Sequence, residues 1–131
     1  IMSGLEFSGT LKLQQQMRQM ESDFDQFLRQ FLLKQALDAL AKTKDNTPVD
    51  TGLLRASWIV GEIRRMDGDL LVDIINPTKY ASFVEYGHMT RDRVNWVEGK
   101  FMCTLAIDEV SRLIPQRFSA EFAAWVGRLN Q

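Results

Sequence analysis

The sequence predicts an α+β fold with a long N-terminal helix, a β-hairpin and C-terminal helices. Three observations support this class. Apolar residues recur at alternating spacings of four and three in the first part of the chain, and Ile-, Val- and Leu-rich stretches flank Asp67-Gly68. Further helical patterns follow Phe101. With 131 residues, of which 45% are hydrophobic and 25% charged, we expect a single domain with a modest core.

The N-terminal helix is predicted over residues 11–43, after a loose polar arm over residues 1–10. Its apolar stripe has the spacing of one face of an amphipathic helix and consists of Leu13, Met17, Met20, Phe24, Phe27 and Phe31. A helix of about 30 residues is roughly 45 Å long, more than one small core needs. We therefore expect part of this face to contact another subunit. Asn46-Thr47-Pro48 ends the helix, because a residue before proline avoids helical geometry.

A short turn and a hairpin come next. Asp50 or Thr51 is expected to cap a turn through Leu53, Leu54 and Arg55. The predicted strands are Trp58–Met66 and Asp69–Asn76, and Asp67-Gly68 between them is the preferred pair for a type I′ turn. The resulting register pairs Met66 with Asp69, Arg65 with Leu70, Ile63 with Val72, Gly61 with Ile74 and Val60 with Ile75. It also places Glu62 opposite Asp73, a mild repulsion that Arg64 or a partner chain would relieve.

The remaining elements are mostly helical. Residues Lys79–Tyr86 predict a short helix that Gly87 stops, and His88–Asn95 predicts an exposed loop. A helix is expected over Phe101–Ile114, with Pro115 kinking or ending it. The last segment, residues 116–131, is amphipathic through Phe118, Phe122 and Trp125. It either folds back on the domain or reaches a neighbouring copy.

Residues suited to catalysis or metal binding are few. His88 is the single histidine and Cys103 the single cysteine, which cannot supply a usual metal-ligand set; Cys103 is interpreted as a small buried hydrophobe. Glycine-rich phosphate loops are absent from the sequence, and no cofactor is expected. The net charge of -1 gives no basic excess for nucleic acid. No apolar run approaches the ~20 residues of a membrane span.

One triplet leaves an enzymatic alternative open. Asp50-Thr51-Gly52 matches the Asp-Thr-Gly of aspartic peptidases, in which two aspartates share a proton, and a dimer would supply the pair. The helical content, the polar segment before the triplet and Leu53-Leu54-Arg55 after it argue against this reading. The favoured interpretation is a capped turn. Similarly, Tyr80, Phe83, Tyr86 and Trp96 favour core or subunit interface over a ligand pocket.

Three blocks in order resemble a tailed-bacteriophage family of minor tail proteins, variously called tail-completion, neck or head–tail joining proteins. The blocks are Thr47–Trp58, Asn76 with Tyr80–His88, and Trp96–Met102. The residues that carry the signature are Asp50, Thr51, Gly52, Leu54, Arg55, Trp58, Tyr80, Glu85, Gly87, Trp96 and Gly99. The resemblance covers residues 47–105 as a core and leaves 116–131 as a variable extension. Such proteins are encoded by phages and prophages.

The resemblance implies a long helix packed on a small antiparallel sheet and a non-enzymatic virion protein. It implies a ring, with six copies expected, that docks to neck and connector proteins and to tail proteins. DNA would pass through without being read, and the protein would occupy the host cytoplasm before assembly. The helix Leu13–Phe31 and the segment Phe118–Leu129 are the predicted self-assembly surfaces.

The chemistry of the signature residues suggests physical roles inside the domain. Asp50 would cap the turn, and Gly52 would allow tight backbone packing. Trp58, Tyr80 and Tyr86 would fix the short elements on the sheet. Arg55 and Glu85 would form an ion pair between the first two blocks.

Overall fold

The structure, a computed structural model, describes the backbone of residues 4–48 and 52–131, with side chains from residue 14. Helix α1 is Gly4–Asn46, so it ends where Asn46-Thr47-Pro48 predicted. It begins earlier than predicted, and residues 4–10 are helical where a loose arm was expected. Isolated Gly and Ser residues lower helix propensity without necessarily breaking a helix. The chain divides into two compact units, one through Gln30 and one from Phe31 to Gln131.

A short helix and a hairpin follow α1. Helix α2 is Gly52–Ala56, β1 is Ile59–Val60, β2 is Arg64–Met66, β3 is Asp69–Leu71 and β4 is Ile74–Ile75. Asp67 and Gly68 both have positive φ, 51° and 87°, as a type I′ turn requires. The pairs Met66–Asp69 and Arg65–Leu70 form as predicted. The turn chemistry therefore sets the register close to the turn.

The register changes by one residue farther from the turn. Val60 pairs with Ile74 and the N–H of Gly61 donates to the carbonyl of Asp73 at 2.8 Å, so the predicted Gly61–Ile74 and Val60–Ile75 pairs are wrong. Residues 61–63 face only residues 72 and 73, which is the extra residue of a β-bulge. Arg64 forms an ion pair with Asp73. Arg64 and a partner chain were the two groups expected to relieve the repulsion between Glu62 and Asp73.

The third part of the fold is a second hairpin that starts directly from a helix. Helix α3 is Ala81–Tyr86, β5 is Gly87–Met89 and β6 is Trp96–Glu98. Gly87 ends α3 with φ 89°, as predicted. The expected loop over His88–Asn95 is shorter, because His88 pairs with Val97 and Met89 with Trp96.

Helix α4, Met102–Leu129, is continuous and contains Pro115, so of the two outcomes predicted at Pro115, a kink or an end, the end is wrong. Proline removes one backbone N–H donor, but contacts with α1 hold the residues just beyond it. Arg117 donates to Asp38 at 2.8 Å and to Gln35 at 2.9 Å, and Phe118 meets Phe31 edge-to-face. The two predicted C-terminal helices are therefore one.

The core of the larger unit joins α2, the residue directly before β1, α3 and α4. Leu54, Trp58, Ala81 and Met102 form this core, and the partly buried residues packed on it are Leu40, Ile74, Val84 and Cys103. The fold is thus α+β, with long helices and three two-stranded antiparallel sheets within the described residues. The signature blocks contain all four of these core residues.

Candidate functional site

Glu85 holds the beginning of α4. The residue at the N-cap position, Phe101, has left-handed φ and ψ of 48° and 40° and makes no side-chain cap. Glu85 takes this role from α3: its carboxylate accepts the N–H of Cys103 at 2.9 Å and the N–H of Thr104 at 2.8 Å. The Thr104 hydroxyl adds a bond of 2.7 Å. A carboxylate at a helix N-terminus accepts hydrogen bonds from backbone N–H groups that have no partner within the helix. Its negative charge also interacts favourably with the helix dipole.

Arg55 does not pair with Glu85, contrary to expectation. Its guanidinium lies 3.6 Å from the carboxylate of Asp45 at the end of α1. Glu85 is only 5% exposed, and its oxygens are occupied by the backbone of α4. The signal for this arrangement was in the sequence: the helix beginning at Met102 has no Ser, Thr, Asp or Asn at its N-cap position.

Gly99 and Gly87 allow the backbone next to Glu85 to cross at close range. A Cβ on Gly99 would lie 2.5 Å from the carbonyl oxygen of Glu85, and one on Gly87 would lie 2.5 Å from that of Val97. The N–H of Phe101 donates to the carbonyl of Glu85 at 2.9 Å, which fixes the crossing. By contrast, among the described residues nothing lies within 4 Å of a Cβ built on Gly52, so these residues give its expected role in tight packing no support.

Trp58 is fixed by a buried hydrogen bond as well as by packing. Its indole N–H donates to the Thr47 hydroxyl at 3.0 Å, and that hydroxyl donates to the carbonyl of Thr43 at 2.8 Å. All three residues are buried. The end of α1 and the start of β1 are therefore joined through one satisfied polar chain.

Other signature residues also stabilise the fold. Leu54 is fully buried, and its carbonyl accepts the Asn76 side-chain N–H at 2.8 Å. Tyr80 and Tyr86 are 39% and 61% exposed, so of the two expected locations, core or subunit interface, the core is wrong. Asp50 and Thr51, and with them the proposed cap and the peptidase triplet, lie outside the described residues. Helix α2 begins at Gly52, the last residue of the triplet.

The predicted self-assembly residues fall into two groups. Phe27 and Phe31 are buried, whereas Met17 and Met20 are exposed; the side chain of Leu13 lies outside the described residues. Phe31 meets Phe118 with ring centroids 5.5 Å apart, so this part of the stripe is used within the chain. The predicted C-terminal residues stack in a row, Phe118 on Phe122 at 5.5 Å and Phe122 on Trp125 at 5.9 Å.

A second apolar surface lies on α3 and the β5–β6 hairpin. We use the name aromatic surface for the exposed apolar side chains of this region, which are Phe83, Tyr86, Met89, Trp96, Val97 and Phe101. They occupy both faces of the hairpin, because Trp96 and Val97 are consecutive strand residues. Tyr86 and Phe101 meet edge-to-face with centroids 6.4 Å apart, and Phe83 lies 5.8 Å from the His88 ring. Exposed apolar groups of this size commonly mark protein contacts. The sequence indicated an interface at these aromatics as one of its two readings.

Side chains suited to catalysis or metal binding do not form a cluster in the part of the chain that the structure describes. Among the described residues, no three His, Cys, Asp or Glu side chains are placed to hold a metal ion. Cys103 is partly buried; burial raises the pKa of its thiol, the charge of Glu85 raises it further, and a bond with Thr43 opposes them. No helix in the described part of the chain is long and apolar enough to cross a membrane.

Comparison with known proteins gives one match. A family model described as "Bacteriophage HK97-gp10, putative tail-component" matches residues 12–87, more than half of the chain. No curated protein and no solved structure matches the chain significantly.

Proposed function

Because this chain belongs to the bacteriophage HK97-gp10 family of tail components, we propose that it completes the tail or joins head to tail. In this role copies of the chain form a ring, with six expected, that docks to neck and tail proteins of a phage or prophage. A tail component is a structural part of the virion. The finer role is supported by the three signature blocks. The first lies within the matched residues, and the second lies within them except for His88.

The distribution of signature residues supports a structural role. Glu85 and Gly99 hold α3 against α4, while Leu54 and Trp58 form the core. These residues stabilise the domain. The surfaces that remain available for binding are apolar and exposed, and such surfaces are suited to contacts between proteins rather than to catalysis.

A ring also agrees with the chemistry of the chain. Ring contacts are heterologous, because one patch of each copy meets a different patch of the next. The chain offers distinct apolar regions, including Met17 and Met20 on α1 and the aromatic surface. Its net charge of -1 suits a ring through which DNA slides, since a strongly basic lumen would retain phosphates.

Assembly is the property to measure. Size-exclusion chromatography with light scattering, on the chain alone and mixed with the neck and tail proteins encoded beside it, should reveal a closed oligomer or a stable complex. A globular protein of similar size from another source, mixed with the same partners, is the control. A strict monomer that binds none of them in any mixture would refute the proposal.

A further inference from the structure

An open apolar groove of about 220 Å³ lies between α1, the first hairpin and α4. Its walls include Leu32, Ala36, Val72, Ile74, Ile107 and Ile114. An aliphatic-lined cavity of roughly 150 Å³ accommodates a benzene ring, so this groove has room for a large side chain. Covering it would remove apolar surface from water, which favours association.

The hairpin that forms one wall of this groove carries an excess of carboxylates. Residues 59–75 carry four carboxylates and two arginines. Arg64 is used by Asp73, and within the described residues Glu62, Asp67 and Asp69 form no ion pair. Asp69 directly precedes the groove residues Leu70 and Leu71. This wall of the groove is therefore acidic.

The β5–β6 hairpin has the opposite character. Its loop carries Arg91 and Arg93, both exposed and without an ion pair among the described residues. Beside them, Val94 is 71% exposed and Trp96 53%. An exposed apolar and basic hairpin is thus the chemical complement of the apolar, acid-edged groove.

The loop is also held in one conformation. The Thr90 hydroxyl and the N–H of Val94 both donate to Asp92, and they hold the pKa of that carboxyl below its ordinary value. The N–H of Asn95 donates to Thr90 at 3.1 Å. A loop already ordered by its own bonds loses little entropy on binding.

We propose that the β5–β6 hairpin of a second copy covers this groove, with Val94 and Trp96 in the apolar part. Arg91 and Arg93 then face Glu62 and Asp69. This inference rests on the proposed self-assembly and names the two surfaces that meet. Because they differ, the contact is heterologous and propagates around a ring, and opposite charges favour the correct partner.

Blocking the groove tests the apolar part. Ser111 is exposed and lines the groove, so Ser111→Trp would occupy it. Gln116→Trp introduces the same side chain at an exposed position of α4 that lies outside the groove and outside the segment Phe118–Leu129. We expect Ser111→Trp to weaken assembly at least tenfold and Gln116→Trp to leave it unchanged, with both variants folded by circular dichroism. Equal assembly by both variants would overturn the inference.

Charge reversal tests the pairing itself. One variant carries Arg91→Glu and Arg93→Glu, and the other carries Glu62→Lys and Asp69→Lys. Each alone brings like charges together and should fail to assemble. An equimolar mixture should assemble again, because every contact then joins opposite charges in an alternating ring of even number. A mixture that stays as defective as its components would show that another partner covers the groove.

The outcome also separates this inference from the proposed function. If the wild type assembles and the four variants behave like it, the chain self-assembles through other surfaces and only this inference fails. If the wild type neither self-assembles nor binds its neighbours under any condition, the proposed function fails and takes the inference with it.

Discussion

Glu85 accepts two hydrogen bonds from Thr104 on a single oxygen, Oε2, at 2.8 Å from the backbone N–H and 2.7 Å from the hydroxyl. A residue of α3 thereby caps a helix that begins 17 residues later, at Met102. The packing of α3 on α4 and the start of α4 consequently depend on one carboxylate.

Replacing this carboxylate should destabilise the domain. We expect Glu85→Gln to lower the free energy of unfolding by about 1.5–3 kcal/mol, the range for hydrogen bonds to a charged group. Urea denaturation measures it. Glu98→Gln, at an exposed position of β6, should change the stability by less than about 0.5 kcal/mol. Equal effects at the two positions would contradict the capping role.

The buried bond between Trp58 and Thr47 should appear as coupling between the two residues. Thr47→Val leaves the indole N–H without its acceptor, and Trp58→Phe removes the donor. In a double-mutant cycle we expect an interaction of about 1 kcal/mol. The free energy of unfolding of the wild type, both single variants and the double variant gives this value. Strict additivity would mean that the bond contributes nothing.

Gly99 and Gly127 have opposite surroundings, so alanine substitutions at these two positions form a matched pair of variants. At Gly99 an added Cβ would meet backbone atoms of Glu85 and Tyr86 at 2.5 and 2.6 Å, whereas at Gly127 in α4 it would meet nothing within 4 Å. Gly99→Ala should cost about 1–3 kcal/mol, as overpacking does. Gly127→Ala should add up to about 1 kcal/mol through helix propensity. Thermal unfolding should shift in opposite directions, and a shift in the same direction would contradict the crossing.

The reactivity of Cys103 should depend on pH in a defined direction. The thiolate is the reacting form, and burial followed by the charge of Glu85 raises the pKa of this thiol. Alkylation by iodoacetamide should therefore reach its half-maximal rate at a higher pH in the folded chain than in the same chain unfolded by urea. A midpoint at or below that of the unfolded chain would contradict this environment.

The sequence predicted the elements whose signals are local. Asp67-Gly68 defined a turn and the pairs beside it, Gly87 the end of α3, and Pro48 the end of α1. The bulge at residues 61–63 was missed because alternation of apolar residues does not reveal one extra residue. Pro115 was misread because bonds from Arg117 to α1, distant in sequence, help to hold the helix beyond it.

The candidate site was predicted less completely, for the same reason. Trp58 and Leu54 were identified through their signature, and both are buried. Glu85 was identified as a signature residue, but it was assigned the wrong partner. An ion pair with Arg55 can be proposed from opposite charge alone. The capping of α4 by Glu85 can be recognised only when the fold shows that α3 lies beside the beginning of α4. The groove involves residues from α1, β3 and α4, and no local pattern places them together.

The central claim, that this chain is a structural part of the virion needed to complete the tail or join it to the head, has a direct test. The encoding phage is produced without this gene, and the lysate is examined by electron microscopy before and after addition of the purified chain. Separate heads and tails or incomplete tails are expected without the protein, and intact infectious particles after it is added. Complete infectious particles formed in its absence would contradict this structural role.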